Sequence, residues 1–303
     1  QVAPQSRNSF LFGKLQDGVE TSCDIIIDLT GDTPLFTGWE KRDGYLRAQA
    51  DDSHAIAKLE REAMQLIGEF EKPIYVNFDE TICAHSRNKI DGCSRCLDVC
   101  PAGAIKSMGD HVDVDPGICG GCGLCGAVCP SGAVQTAYPP SDQLLSEIAR
   151  LLEYYTEAGG KNASLLLHDA SYGLELIEVM ARYGRGLPAH VLPVSMHAIG
   201  RAGHDLIVGA IALGYEQVFI LLNPNKPAEN EPLILQRELA ETMLAGVGVS
   251  GNGHVVLLDD VDPDVISDKL HQKSSKRVGK PAPFSPVGTP RGYTRLAMRG
   301  LAT

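Results

Sequence analysis

Long apolar runs are missing from this 303-residue sequence, which has no stretch of eighteen consecutive apolar residues. A transmembrane helix needs about 20 such residues, so we expect no membrane span. The pattern GxSxG is also absent. That pattern places a nucleophilic serine on a strand-to-helix turn, and its absence argues against a Ser-His-Asp hydrolase of that type.

Basic residues are scarce except at one end of the chain. The net charge is −11, but the last 38 residues, 266–303, carry +7 and the first 265 carry −18. We therefore expect no nucleic-acid ligand, and an acidic body of this kind suits electrostatic steering toward a basic partner. With 44% apolar and 21% charged residues, the composition is that of an ordinary globular protein with room for two or three domains.

Cysteine is concentrated in one stretch, since eight of the nine cysteines lie between Cys83 and Pro130. They form two groups: Cys83, Cys93, Cys96 and Cys100, then Cys119, Cys122, Cys125 and Cys129. The second group reads CGGCGLCGAVCP, a run in which three thiolates wrap one iron–sulfur cluster and the fourth, beside its proline, reaches the neighbouring cluster. The first group keeps only the CxxCxxxCP part. Its missing first ligand would fall at Ile90, so Cys83 is the nearest candidate, on a longer loop.

These residue types suit iron, because thiolates are soft ligands and short spacings let one loop supply three of them. Glycines between the cysteines let the backbone approach a cluster and direct amides to its sulfurs: Gly120, Gly121, Gly123 and Gly126. Two structural zinc sites, four disulfides, or a three-iron cluster at the Cys83 site are the alternatives. Zinc sites usually present cysteines as separated pairs, and disulfides require an oxidising compartment of which the sequence gives no sign.

The stretch from Pro73 to Tyr138 resembles the two-cluster bacterial ferredoxins. The resemblance implies two [4Fe-4S] clusters, with the ligand sets crossed between the groups. One cluster would be held by Cys83, Cys93, Cys96 and Cys129, and the other by Cys100, Cys119, Cys122 and Cys125. The spacer MGDHVDVDPGI alternates apolar and polar residues, and we expect it to pair as a strand with PIYVNFDETI. Near Cys83, His85 and Arg87 are either donors to a cluster sulfur or solvated loop residues.

The rest of the chain predicts an α/β fold. The N-terminal segment, 1–72, contains a buried strand, CDIIIDLTGD, which opens with the ninth cysteine, Cys23, expected to be a small buried hydrophobe. A helix capped by Ser53 follows. Residues 141–265 contain four apolar strands separated by amphipathic helices, which favours a doubly wound, three-layer parallel sheet. The fold class is therefore α/β with an inserted small α+β ferredoxin-like domain at 73–138, and 266–303 is predicted to be a basic, Pro/Gly-rich tail or linker.

The segment LPAHVLPVSMHAIGRAGHDLIVGAIALGYEQVFILLNP resembles the delta-subunit domain of methyl-viologen-reducing hydrogenase, which also occurs in formate-dehydrogenase assemblies. That family binds a [2Fe-2S] cluster through cysteines that follow its strands. Here those positions hold Asp169 to Ser171, Met196, His197, and Asn223 to Asn225, without any cysteine. The resemblance then implies a domain that has lost its cluster and serves as a docking scaffold.

No other motif predicts catalysis. The GxGxxG at Gly246, Gly248 and Gly251 follows a predicted helix and precedes a strand, the reverse of a dinucleotide-binding loop. Polar residues near predicted strand ends favour capping and turns rather than a triad: His168, Asp169, Ser171, His197 and His204. We expect a crevice at the carboxyl ends of the strands to be the one other place for a small ligand.

The sequence therefore predicts a cytoplasmic electron carrier without catalytic residues of its own. The resemblances imply a subunit or fragment of a larger oxidoreductase system, such as a formate dehydrogenase or hydrogenase. Its redox partner would be a flavin- or molybdenum-containing dehydrogenase or a hydrogenase. Two alternatives remain open at this point. One is a redox enzyme that binds a small substrate or nucleotide in its own α/β domain, and the other is an interaction protein in which clusters or zinc are structural.

Overall fold

The structure is a computed structural model, and it describes residues 2–6, 9–12, 23–35, 44–68, 71–85, 92–109, 111–249, 253–272, 281–282 and 284–302. The chain divides into two compact units. One consists of Gln1–Phe36 with Lys41–Phe70, and the other of Thr37–Glu40 with Glu71–Thr303. The predicted boundary near residue 72 lies close to this division, while the segments 73–138 and 141–265 fall within the same unit.

The described residues of the first unit form two small sheets and one helix. Its elements are β1 (Val2–Ser6), β2 (Ser9–Phe12), β3 (Ile26–Asp28), β4 (Tyr45–Arg47) and α1 (Ser53–Gln65). Strands β1 and β2 pair antiparallel, whereas β3 and β4 pair in parallel. A small core forms where Leu59 of α1 packs with Leu46 and Ala48.

Three details of this unit differ from the sequence predictions. The N-cap of α1 is Asp52 rather than Ser53, because the Asp52 carboxylate accepts hydrogen bonds from the amides of residues 54 and 55. The strand β3 is only partly buried, with Ile27 51% exposed, since β4 is its sole partner among the described strands. Cys23 precedes that strand and is exposed, so the prediction of a buried hydrophobe was wrong. The buried side chain is instead Asp28, whose pKa is lowered to about 2 by hydrogen bonds from Thr30 and Tyr45.

The cysteine-rich part of the second unit is built from short elements. They are β5 (Val76–Phe78), α2 (Arg95–Asp98), β6 (Ile105–Ser107), β7 (Val112–Val114), α3 (Leu124–Val128) and β8 (Val134–Thr136). Strand β5 pairs antiparallel with β8, and β6 with β7. The predicted pairing of the spacer strand β7 with β5 is therefore wrong. The strand after the first Cys-Pro turn, β6, pairs with the next strand, and the strand after the second, β8, pairs with the opening strand.

A four-stranded parallel sheet forms the larger part of this unit, as the apolar runs predict. Its strands are β9 (Ser164–Asp169), β10 (Val191–Met196), β11 (Gln217–Leu221) and β12 (Val255–Leu258), in the order β10-β9-β11-β12. The helices around it are α4 (Ser141–Glu157), α5 (Tyr172–Tyr183), α6 (His204–Leu213), α7 (Pro227–Gly246), α8 (Pro263–His271) and α9 (Pro290–Leu301).

Alternate residues of the central strands enter two separate apolar cores. Leu165 and Leu167 of β9 pack with side chains from α4, α6, α7 and α9, whereas Leu166 packs with side chains from α5 and α8. This alternation follows from the two-residue period of a strand. Fully burying each of these leucines stabilises the fold by about 2 kcal/mol. The edge strand β10 carries Pro193, a residue that central strands rarely tolerate.

The C-terminal segment differs from the predicted tail. Helix α8 contributes buried Ile266 and Leu270, and α9 contributes Tyr293 and Ala297, all fully inaccessible to solvent. Thr289 caps α9 by accepting the amide of Gly292. The proline- and glycine-rich composition obscured a helix start, Thr-Pro, followed by apolar residues four apart. Among the described residues, no helix has both the length and the apolarity needed to cross a membrane.

Candidate metal centre

The four thiols predicted for the first cluster influence one another electrostatically. Cys96 lies on α2, Cys83 and Cys93 lie in the segments before it, and Cys129 ends α3. Burial, together with the smaller effects of the Cys129, Cys83 and Cys93 thiols, raises the pKa of Cys96 to about 11. The structure therefore brings Cys83 to the others, although it is ten residues upstream of Cys93.

Burial strongly affects two of the four thiols predicted for the second cluster, Cys122 and Cys125. The pKa of Cys122 is raised to about 12, chiefly by burial and in smaller part by Glu229, Cys100 and Cys119, while the Leu124 amide acts to lower it. Cys125, on α3, has a pKa raised well above its ordinary value, again chiefly by burial. The same four thiols line a single small cavity of about 20 Å³. Its other walls are Val76, Ala102, Ala104, Ile105, Val114, Gly120, Gly121 and Gly123.

The donor atoms around these thiols fit an iron–sulfur cluster. All eight predicted ligands are free thiols. Backbone amides already donate to two of the sulfurs, from Ala104 to Cys100 at 3.3 Å and from Val134 to Cys129 at 3.4 Å. Such N–H to sulfur bonds stabilise a thiolate and tune the cluster it holds. Among the described residues, no group of three or more His, Cys, Asp or Glu side chains is arranged to hold a single metal ion.

His85 has a structural role that the sequence left open. Its side chain is buried, with Nδ1 donating to the Cys93 carbonyl at 2.8 Å and Nε2 accepting from Ser107 Oγ at 3.0 Å. This tautomer follows from the partners, because a carbonyl can only accept. His85 thus ties the Cys83 segment to the first cysteine loop and to β6. Arg87 and Ile90 lie outside the described residues.

The glycines between the cysteines are required by close neighbours rather than only by a cluster. Gly121 has φ +78°, and a Cβ there would lie 2.5 Å from Cδ1 of Tyr75. Gly123 has φ +80°, and its Cβ would lie 2.8 Å from Cβ of Arg201. Neither contact could be predicted from the sequence, because Tyr75 and Arg201 are far from these glycines along the chain.

His197 completes this set of contacts. Its ring stacks on Tyr75 with centroids 5.3 Å apart and planes inclined by 13°. Its Nε2 donates to the Gly120 carbonyl at 3.2 Å. His197 directly follows β10, at a position where the sequence analysis predicted only capping and turn chemistry. The structure instead places it against the second cysteine loop.

The other polar residues at the strand ends do form caps and turns, as predicted. Asp169 Oδ1 accepts the amides of Ser171 and Gly173 at 3.1 and 2.8 Å, and Oδ2 accepts Asn223 Nδ2 at 2.7 Å. His168 Nδ1 donates to the Asp169 carbonyl, and burial lowers the pKa of its imidazole. His204 lies within 2.7 Å of Gln236 Oε1. Helix α7 ends at Gly246 before the described Gly248, and Gly251 lies outside the described residues.

Comparison with known proteins supports the reading of the cysteines. Residues 90–133 match the family model of a 4Fe-4S dicluster domain. No curated protein and no solved structure matches the chain. The matched segment is therefore ferredoxin-like, binds 4Fe-4S clusters and has an iron–sulfur electron-transfer role. The match begins after Cys83, so the fourth ligand of the first cluster stays a prediction.

Proposed function

We propose that this chain is an electron carrier that holds two [4Fe-4S] clusters, each ligated by thiolates from both halves of the cysteine-rich module. The observation that carries the proposal is the grouping of the thiols. The electrostatic partners of Cys96 are Cys129, Cys83 and Cys93, and the cavity around Cys125 is lined by Cys100, Cys119 and Cys122. These are the crossed sets that the ferredoxin resemblance implies.

A bound 4Fe-4S cluster supplies reversible one-electron chemistry. The protein's own residues supply the rest. Eight thiols become thiolates on binding, amides such as that of Ala104 donate to the sulfurs, and apolar side chains keep water away. Leu124 and Ala127 lie on α3 with Cys125 of the second set, and they are 1% and 5% exposed. We assign no residue to acid–base or nucleophilic catalysis.

We further propose how the module is used. The α/β part is a doubly wound three-layer domain that provides the docking scaffold, with the ferredoxin-like domain inserted between it and the N-terminal segment. The partner is another redox protein, such as a flavin- or molybdenum-containing dehydrogenase or a hydrogenase, and the location is cytoplasmic. The acidic charge of the first 265 residues, −18, favours a partner with a basic docking surface.

The electron-carrying role is tested by an anaerobic reductive titration of the reconstituted chain. We expect dithionite to bleach the visible absorbance with uptake of about two electrons per chain, and a one-electron acceptor to restore it. A double Cys96→Ser, Cys125→Ser variant, which lacks one proposed ligand from each set, serves as the control without intact clusters. Absorbance that cannot be bleached and restored would exclude the carrier role.

The enzyme alternative is tested separately by thermal unfolding with nucleotides, thiols and organic acids. A ligand that binds the folded state at a hundred times its dissociation constant stabilises it by about 2.7 kcal/mol, which shifts the midpoint by several degrees. We expect no saturable shift, because Asp169 and Asn223 bond each other at the strand ends where such a ligand would bind. A saturable shift with any of these compounds would favour the enzyme.

A further inference from the structure

The carboxyl-terminal edge of the parallel sheet lies against the second cysteine loop, defined here as residues 119–123. In open α/β sheets this edge is where small ligands bind. Here the residue after β10, His197, donates to the Gly120 carbonyl at 3.2 Å. The next turn contains Gly200, where a Cβ would lie only 2.8 Å from the Cys122 carbonyl oxygen. The loop therefore fills space at this edge.

The crevice between the central strands β9 and β11 is closed. Asp169, which ends β9, and Asn223, two residues after β11, are 1% and 0% exposed. They are joined by a hydrogen bond of 2.7 Å. Their polar atoms thus bind each other instead of presenting donors and acceptors to a small molecule.

Two side chains that follow β10, Arg201 and His197, contact the second cysteine loop. Arg201 packs its Cβ and Cγ against the α-carbon of Gly123, within 3.2 Å of the position a Cβ would take. Its Nε and Nη2 atoms are buried and have no hydrogen-bond partner among the described residues. The aliphatic part of Arg201 therefore makes its contact with the loop, and any other residue than glycine at position 123 would displace it.

The bond from His197 fixes the orientation of one peptide group. In a planar trans peptide, the carbonyl and the following N–H point in opposite directions. Because the Gly120 carbonyl is held toward His197, the Gly121 N–H is turned to the other side of the loop. A hydrogen bond from such an amide to a cluster sulfur tunes and stabilises the cluster. Tyr75 stacks on the same imidazole and limits its rotation.

We propose that the carboxyl-terminal edge of the sheet supports the second cysteine loop, and that His197 and Arg201 are positioning residues. They hold this loop in the conformation that binds a 4Fe-4S cluster. The α/β domain then serves cluster binding with the edge that related sheets use for small ligands. The inference rests on the proposed assignment of Cys100, Cys119, Cys122 and Cys125 to one cluster.

The test is the rate at which the anaerobically reconstituted full chain loses iron to an excess of chelator. We expect His197→Ala to speed the loss of about half of the iron by roughly 2- to 10-fold, the effect of one lost hydrogen bond, and to leave the other half unchanged. His197→Gln keeps a donor for the Gly120 carbonyl and should restore most of the wild-type rate. Tyr154→Ala, an exposed tyrosine on α4, is the control and should change neither half.

Arg201 is tested with a pair of variants in the same assay. Arg201→Ala removes the Cγ that packs against Gly123 and keeps the Cβ, so it should speed loss of the same half of the iron, whereas Arg201→Met keeps both atoms and should not. A redox titration followed by EPR gives a second readout, in which His197→Ala should shift the potential of only one cluster. Because His197 is exposed, its variants should fold even where Arg201→Ala does not.

Equal acceleration of the loss of both halves of the iron, or wild-type rates of iron loss in both His197→Ala and Arg201→Ala, would overturn the proposal that His197 and Arg201 position the loop. That result would leave the proposed function intact, because the wild-type chain would still have bound its iron. Wild-type protein that takes up no iron would instead overturn the proposed function, and this inference with it.

Discussion

The two proposed ligand sets draw on cysteine groups with nearly the same spacing, yet different elements surround them. Helix α3, which carries Cys125 of the second set, packs against α7 and the turn at 199–201 in the α/β domain. The first set is bordered by α2, β6 and the buried imidazole of His85. Burial raises the pKa of Cys122 to about 12 and that of Cys96 to about 11.

The spacing of a cluster motif determines which cysteines are the ligands, but it does not determine the burial, charge and hydrogen bonds around them. Solvent exposure, nearby charge and hydrogen bonds set the potential of an iron–sulfur cluster. The Glu229 carboxylate lies close to Cys122, and burial raises the pKa values of Cys122 and Cys125 strongly, so the second cluster should have the lower potential of the two. Two unequal clusters within one module would give electrons a preferred direction.

The largest effect should come from removing one thiol of each set. Cys125→Ser should cost about four of about eight irons and destabilise the fold, because Cys125 lies in the core and the serine hydroxyl would be buried there. Cys96→Ser should also cost about four irons and should destabilise the fold too, because Cys96 lies in the same apolar core. We expect the smaller loss at Cys96 because α3 is the helix that packs against α7 and the turn at 199–201. Iron analysis and urea unfolding measure both, and equal destabilisation would contradict the difference in enclosure.

Thiol reactivity in the metal-free chain gives the next largest contrast. Raised pKa values favour the neutral thiol, so at pH 8 the thiolate fraction of Cys122 should be about tenfold below that of Cys96. The alkylation rate of both should rise about tenfold per pH unit until the pH nears 11 or 12. Mass spectrometry after brief alkylation measures this, with the urea-unfolded chain as control. Identical alkylation rates for Cys122 and Cys96 would contradict a stronger effect of burial at Cys122.

Cys83→Ala tests the irregular ligand of the first set. We expect the first cluster to convert to a three-iron or labile form and the second to remain, because the variant removes only one corner. Iron analysis should show a loss of about one iron per chain, and EPR of the oxidised protein should show a new three-iron signal. Eight irons and an unchanged spectrum would mean that another group is the ligand.

A pair of glycine variants separates steric contact from backbone strain. Gly121 and Gly132 have similar φ angles, +78° and +74°, but a Cβ at Gly121 meets Tyr75 whereas a Cβ at Gly132 has nothing within 4 Å. Both alanine variants incur a left-handed conformation, which costs about 1 kcal/mol. Gly121→Ala should lose about 2 kcal/mol more, from overpacking, and thermal unfolding measures the difference. Equal stabilities would remove the case for a tight contact at Tyr75.

The smallest effect should be electrostatic. Glu229 is buried near Cys122, so Glu229→Gln should raise the potential of one cluster by roughly 40 mV, the equivalent of about 1 kcal/mol for one electron. Glu231→Gln, at an exposed position of the same helix, is the matched control. A redox titration followed by EPR measures both variants. An equal shift in the potentials of both clusters, or an equal shift in both variants, would contradict a specific effect of the Glu229 charge on one cluster.

The elements that could be predicted from the sequence are those marked by patterns of residues that are close together along the chain. The apolar runs of β9, β10, β11 and β12 predicted a parallel sheet, and the cysteine spacing predicted the module that the family comparison supports. Strand partners were harder, because the alternation in β7 shows a strand without showing that β6 rather than β5 pairs with it. Helix α9 was missed because its prolines and glycines outweighed the apolar spacing of Tyr293 and Ala297.

The contacts that shape the metal centre were beyond reach for a different reason. Tyr75 and His197 meet across more than a hundred residues of sequence, and nothing in either neighbourhood marks them as partners. His197 carried only a prediction of turn chemistry. Such contacts depend on how the sheet edge and the module fit together, which is a property of the folded chain.

The central claim is tested most directly by measuring iron, inorganic sulfide and zinc in the anaerobically prepared wild-type chain. Two [4Fe-4S] clusters require about eight iron and eight sulfide atoms per chain, with zinc near zero and a brown colour. A colourless protein, or one with about two zinc ions and no sulfide, would contradict the account.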